Sequence, residues 1–176
     1  MTSVERHRTP LAVPRDGSGD SPPRRVGYAA GAFDLFHVGH LNILKHAKSQ
    51  CDFLIAGVVS DDMLQLAKGR PPIVPLSERL EIVRNIRFVD AAIAEVVPDK
   101  LDTWRTLRFD VFFKGDDWRG TERGERLERE FAAVGVEVVY FPYTVSTSST
   151  QLRRALDVME ADRQTDSDAR ESSVHR

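Results

Sequence analysis

Val26-Gly27-Tyr28-Ala29-Ala30-Gly31-Ala32-Phe33-Asp34-Leu35-Phe36-His37-Val38-Gly39-His40 is the stretch that decides how the chain folds. Its first five residues are an apolar run of strand length, closed by Gly31. Soon after it, Leu41, Leu44, Ala47 and Cys51 recur on one helical face. A buried strand that turns directly into an amphipathic helix is the opening half of a βαβ unit.

The pattern continues downstream. Further strands are predicted over Phe53 to Val59, Ala92 to Val96, Val111 to Phe113 and Val136 to Phe141, each bounded by Gly, Asp, Pro or a charged cluster. Leu76, Leu80, Val83 and Ile86 form a second helical stripe. Ser148 and Gln151 have the spacing of a capping box, which predicts a last helix with Leu152, Ala155 and Leu156 on its apolar face. The expectation is an α/β domain, a doubly wound five-stranded parallel sheet with helices on both faces. Residues 1–25 and 161–176 have little apolar periodicity and are expected to be disordered tails, leaving 26–160 as the folded unit.

Composition narrows the function. With 176 residues, 41% of them hydrophobic, the chain has the material for one ordinary core. A formal net charge of −2 lacks the basic excess used against a nucleic-acid backbone, so a small-molecule partner is expected. The single Cys51 forms no internal disulfide, and no run has the length and apolarity of a membrane span. A cytoplasmic location is the expectation.

Chemistry is expected where the first strand ends. In open α/β sheets the carboxyl ends of the strands border the ligand crevice, and a helix start there presents free N–H groups to anions. His37 and His40 fall at that point, and Gly39 between them omits a side chain where a phosphate has to approach the backbone. In a bland reading the two imidazoles only shape a turn. Zinc is disfavoured, because His46, Cys51 and the terminal His7 and His175 offer no further ligands at suitable spacing.

Several other groups are candidates. Lys68-Gly69-Arg70-Pro71-Pro72 is a basic loop, either solvated or able to close over phosphates. Arg87, between Ile86 and Phe88, is expected to be partly buried and to need an anionic partner. Arg79 reads either as a similar cation or as an exposed helix arginine beside Glu78 and Glu81. Asp116 and Asp117 after the fourth strand can assist a metal or bind hydroxyls, with Trp118 as an apolar wall, or they can simply form a tight turn. Ser148, Ser149 and Thr150 combine helix capping with spare donors for a phosphate.

Gly31 to His40 resembles the nucleotidyltransferase superfamily of cytidylyltransferase type, whose first turn reads Gly-x-Phe-Asp-x-x-His-x-Gly-His. The likeness runs on through Ser77-Glu78-Arg79, Ile86-Arg87-Phe88-Val89-Asp90, Lys114-Gly115-Asp116-Asp117-Trp118 and Ser148-Ser149-Thr150, and is strongest to the glycerol-3-phosphate cytidylyltransferase group. It implies a Rossmann-like fold, a homodimer, and Mg²⁺-assisted transfer of CMP from CTP to a small phosphorylated alcohol with release of pyrophosphate. No covalent enzyme intermediate is implied.

The resemblance gives catalytic roles to His37, His40, Lys68 and Arg87. Nucleotide binding falls to Gly31, Ala32, Phe33, Gly39, His40, Arg70, Asp116, Ser148, Ser149 and Thr150. Substrate binding falls to Asp34, Arg79, Arg87, Asp117 and Trp118. Adenylyl transfer to a sugar phosphate and a non-catalytic nucleotide-binding role are the alternatives. One departure stands out: where the family often has Arg-Thr-x-Gly before the last helix, this chain has Tyr143-Thr144-Val145-Ser146.

Overall fold

The computed structural model describes residues 24–142 and 147–174, with side chains as far as residue 163. Five parallel strands, β1 (Val26–Gly31), β2 (Phe53–Val59), β3 (Ala91–Glu95), β4 (Val111–Gly115) and β5 (Glu137–Phe141), lie in the order β3-β2-β1-β4-β5. This is the doubly wound, Rossmann-like arrangement expected from the sequence, and the strand order reverses between β1 and β4. The central strands read as nearly unbroken apolar runs because both sheet faces are covered.

The helices are α1 (Val38–Lys48), α2 (Asp61–Lys68), α3 (Leu76–Arg84), α4 (Lys100–Leu107), α5 (Glu122–Ala132) and α6 (Ser149–Val174). One core layer joins Leu44 and Ala47 of α1 and Val83 of α3 to Ala29, Leu54, Val58 and Phe113. The opposite layer joins Leu107, Leu127 and Phe131 to Tyr28, Ile55 and Phe112, with Phe109 edge-on to Phe131 at 5.6 Å. Tyr28 crosses β2 only because position 57 is glycine; a Cβ there would lie 2.0 Å from its hydroxyl oxygen. The hydroxyl of Tyr28 donates to Glu95, a buried carboxylate that also accepts from Thr103 at 2.8 Å and pairs with Lys100 at 3.2 Å.

The far end of the chain differs from expectation. Instead of disorder beginning at 161, α6 continues to Val174. From Gln151 to Val174 there is neither glycine nor proline, so once the capping box has nucleated the helix, each further residue adds a hydrogen bond at little cost. That capping box is present: the Gln151 amide donates to Ser148 Oγ at 3.2 Å, and the Ser148 amide donates to Gln151 Oε1 at 3.1 Å. Residues 1–23, which hold most of the expected N-terminal tail, and Tyr143-Thr144-Val145-Ser146 lie outside the described residues.

Candidate active site

The turn from β1 into α1 is held in an unusual backbone conformation. Phe33 and Leu35 both have left-handed dihedrals, φ 51° and 48°, which side-chain-bearing residues adopt at a cost of order 1 kcal/mol or more each. Three anchors keep them there. Arg79 of α3, wholly buried, donates to the carbonyls of Ala32, Val59 (2.9 Å) and Val74 (2.8 Å) and pairs with Asp61. Ser149 Oγ donates to the Asp34 carbonyl at 2.7 Å. Asp34 itself accepts from the amides of Ile73 and Val74 and from Arg153 at 2.8 Å. Burial opposes the charge of Asp34, but the Val74 and Ile73 amides and Arg153 outweigh it and hold the carboxyl below its ordinary value.

On this scaffold His37 is the N-cap of α1. The Gly39 amide donates to its Nδ1 at 3.0 Å, so in the neutral ring the proton sits on Nε2. His40 stacks on His37 with ring centroids 4.0 Å apart and meets Phe33 edge-on at 5.5 Å. Its Nδ1 is buried with no hydrogen-bond partner among the described residues. Burial, then the neighbouring His37, pushes the pKa of His40 down to about 3; burial lowers that of His37 as well. Both rings are therefore neutral N–H donors at physiological pH.

Neutral burial has a consequence for stability. Between about pH 3 and 6.5 the unfolded state binds a proton at His40 that the folded state does not, so stability rises with pH across that window. A urea-denaturation series from pH 7 down to 4.5 should show the midpoint falling, and His40→Gln, neutral throughout, should fall less. Equal pH slopes for the two proteins would contradict the neutral assignment.

The histidines open onto a cleft of about 270 Å³ above the carboxyl ends of β1 and β4, the reversal point of the sheet. The cleft also brings together Lys68 from the end of α2, Arg70 and Pro72 from the loop after it, and Ser149, Thr150 and Arg153 from the first turns of α6. Gly69 in that loop caps α2 with φ 69°, a conformation suited to glycine. Gly31, Ala32, Phe33, Asp34, Gly39 and Asp117 line the cleft as well. One α1 N-terminus, two neutral imidazoles and the cations Lys68, Arg70 and Arg153 on one concave surface are equipped to hold a polyphosphate.

Similarity to known proteins runs in the same direction. The family description Cytidylyltransferase-like matches residues 28–155. The chain is 39% identical over 114 residues to FAD synthase of Pyrococcus abyssi (strain GE5 / Orsay), covering 64% of this chain and 77% of the relative. It is 32% identical over 133 residues to glycerol-3-phosphate cytidylyltransferase of Bacillus subtilis (strain 168), covering 72% of this chain and 92% of the relative. Among solved structures, the lipopolysaccharide core biosynthesis protein from Thermoplasma volcanium GSS1 superposes with TM-score 0.59 at 26% identity, over 69% of this chain and 97% of that one.

The chain belongs to the cytidylyltransferase-like family. Pantoate-beta-alanine ligase from Francisella tularensis, at TM-score 0.53 and 14% identity over 78% of this chain and 70% of that one, shares the fold. Membership in the nucleotidyltransferase superfamily, expected from Gly31 to His40, is thereby established, and nucleotidyl transfer is the chemistry it supports.

In this cytidylyltransferase-like protein several expected site residues stand elsewhere. Arg87 lies beyond the end of α3, is exposed and does not line the cleft, while Phe88 next to it packs on the α1/α3 core layer. Arg79 is no exposed helix arginine and does not line the cleft. It sits on the same helical face as Leu76 and Val83 and holds up the floor of the turn. Asp34 lines the cleft, but its carboxylate is spent on the Ile73 and Val74 amides and Arg153.

Of the Asp116-Asp117-Trp118 3-10 turn, only Asp117 reaches the cleft. Asp116 is exposed, and Trp118 packs on the α4/α5 core layer, with the Arg123 guanidinium 4.0 Å above its ring, instead of forming a cleft wall. Ser148 is occupied by the capping box. Four polar residues of the cleft were assigned no site role from the sequence: Asn42, His46, Lys114 and Arg153. Helical spacing held the signal for three of them, since Asn42 and His46 follow Gly39 on one face of α1 and Arg153 follows Ser149 by four.

Proposed function

We propose that this protein transfers a nucleoside monophosphate from a nucleoside triphosphate to a phosphorylated acceptor, with CTP and a small phosphorylated alcohol such as glycerol 3-phosphate as the leading pair. The observation that carries the reading is the stacked His37–His40 pair at the N-terminus of α1, set among Lys68, Arg70 and Arg153. An acceptor phosphate oxygen attacks the α-phosphorus in line. The new P–O bond forms as the bond to the β-phosphate oxygen breaks, and pyrophosphate leaves with its electron pair. The attacking phosphate is already ionised, so no serine, cysteine or general base is needed. What the site supplies is placement and neutralisation of charge.

His37 and His40 donate to the α-phosphate oxygens as charge grows on them. Ser149 and Thr150 at the start of α6, with Lys68, Arg70 and Arg153, grip the β- and γ-phosphates and stabilise the leaving pyrophosphate. Among the described residues no group of three His, Cys, Asp or Glu side chains converges to hold a metal unaided. Asp117 in the cleft suits Mg²⁺ nonetheless, since this ion is commonly carried by substrate phosphates and one or two carboxylates. Bound so, it would neutralise triphosphate charge.

A second reading, adenylyl transfer from ATP, has a specific support in the similarity to FAD synthase, whose product contains an adenylyl group. Pyrophosphate release measured with CTP, ATP, GTP and UTP, each against glycerol 3-phosphate and FMN, separates the two. CTP with glycerol 3-phosphate is expected to give the fastest release; ATP with FMN giving the fastest would replace the leading pair, and release with none would overturn the enzymatic reading.

The basic loop makes a separate prediction. Lys68 and Arg70 are exposed but both border the cleft. Lys68→Ala and Arg70→Ala should each lower kcat/KM for the triphosphate by roughly tenfold or more, the scale of a charge-assisted contact. A merely solvated charge would leave kinetics within about twofold. Hydrogen exchange across 69–72 should slow when the triphosphate binds; unchanged kinetics and exchange together would remove the loop from the mechanism.

A further inference from the structure

Lys114 occupies a different side of the cleft from the phosphate grip. Along β4, Val111 and Phe113 join the α1/α3 core layer and Phe112 the α4/α5 layer, so Lys114 emerges on the α4/α5 face. There its ammonium rests 4.4 Å from the centroid of the Trp118 ring, a cation–π contact that orients the side chain. The same residue lines the cleft next to Ala30, which packs with that same layer. The cleft thus straddles the sheet edge where β1 and β4 diverge, with His37, His40 and Arg153 toward one face and Lys114 toward the other.

The charge of Lys114 is poorly compensated. It forms no salt bridge and no hydrogen bond among the described residues. Burial pulls its pKa down; Asp117 works against this, while Arg123, Lys100 and Lys68 add to it. Lys100 is already matched by Glu95 at 3.2 Å, and Arg123 stacks on the same Trp118 ring, 4.0 Å from its centroid. A largely buried ammonium facing a cleft amid like charges is short of one anion.

We propose that Lys114 is the cation of a second anion subsite, on the α4/α5 side of the sheet edge, that holds the phosphate monoester of the acceptor apart from the triphosphate grip of α1 and α6. The inference rests on the nucleotidyl-transfer reading for the identity of its occupant, a dianionic phosphate monoester. In that arrangement the attacking phosphate and the triphosphate enter from opposite faces of the sheet and meet over the end of β1. This is the in-line approach the reaction needs. The arriving dianion also restores the full charge of Lys114 and stabilises it.

The test reads binding, not turnover. Acylation of Lys114 in the full chain, followed by peptide mass spectrometry, is expected to slow at least fivefold with glycerol 3-phosphate, FMN or inorganic phosphate, and to be unaffected by glycerol. Lys114→Met should weaken binding of whichever monoester protects by about tenfold or more and leave CTP and ATP affinity within about twofold, with Lys114→Arg recovering part of the loss. Protection by CTP or ATP alone, or weakened triphosphate binding in Lys114→Met, would assign the lysine to the nucleotide and overturn the proposal. Absence of protection by all three phosphates would overturn it too. Failure of the broader reading looks different: a chain that binds neither CTP nor ATP, whatever happens at Lys114.

Discussion

Arg79→Ala is expected to destabilise the fold by roughly 3–5 kcal/mol, the range for removing one partner from a buried charged network. Four acceptors converge on that guanidinium: the carbonyls of Ala32, Val59 and Val74, and the Asp61 carboxylate. The carbonyls set the cost. Asp61 is partly exposed and returns to water, but each part-buried carbonyl left without a donor costs up to about 1–3 kcal/mol. A hydrophobic replacement such as Arg79→Met does not escape this, because it fills volume and supplies no N–H. Arg79→Lys keeps the charge and loses the planar fork, so it should fall between.

The same substitution should disable the site without touching the ligand. Ala32 immediately precedes Phe33, the first of the two left-handed residues, and the Arg79 bond to its carbonyl is one of the restraints that keep the turn strained. Urea denaturation and kcat/KM, measured on the same preparations, check both parts. A loss of under about 1 kcal/mol would mean that water or a neighbouring side chain satisfies the carbonyls in place of Arg79.

His40→Ala and His37→Ala should each lower kcat by roughly a hundredfold or more, the usual scale for deleting one donor to a developing oxyanion. Their effect on stability is expected to be smaller than that of Arg79→Ala, since His40 Nδ1 has no hydrogen bond among the described residues to lose and His37 makes a single capping bond. Because both rings are held neutral, kcat/KM in the wild type should not decline as pH rises through 6.5. A decline there that vanishes in His40→Gln would show that an imidazolium, not a neutral donor, contacts the phosphate. Near-normal turnover in either alanine variant would remove the pair from the α-phosphate.

Sequence and fold agree closely wherever the code is local. The alternation of apolar runs with helical stripes identified five strands within one or two residues of β1 to β5, because strands buried on both faces must be apolar throughout. Ser148 and Gln151 announced the start of α6 for an equally local reason, a reciprocal pair of bonds three residues apart. His37, Gly39 and His40 were legible because they sit on a strand-to-helix turn whose place in any such sheet is the crevice.

The arginines were not legible in the same way. An arginine at position 79 on an apolar stripe and one at position 87 between two apolar residues look alike in sequence, yet Arg79 is buried among carbonyls and Arg87 is in solvent. What separates them is where α3 ends and which backbone oxygens lie above it, and those oxygens come from β2, from the β1–α1 turn and from the chain before α3. Lys114 and Arg153 entered the cleft for a similar reason. The strand order β3-β2-β1-β4-β5 sets the end of β4 beside the end of β1 and brings the first turns of α6 over Asp34, more than a hundred residues earlier in the chain. The sequence by itself determined the layers, the strands and the phosphate-binding turn, since periodicity and capping act over a few residues. Tertiary structure alone decided which cations face the ligand and which support the backbone, because that depends on distant segments sharing one buried space.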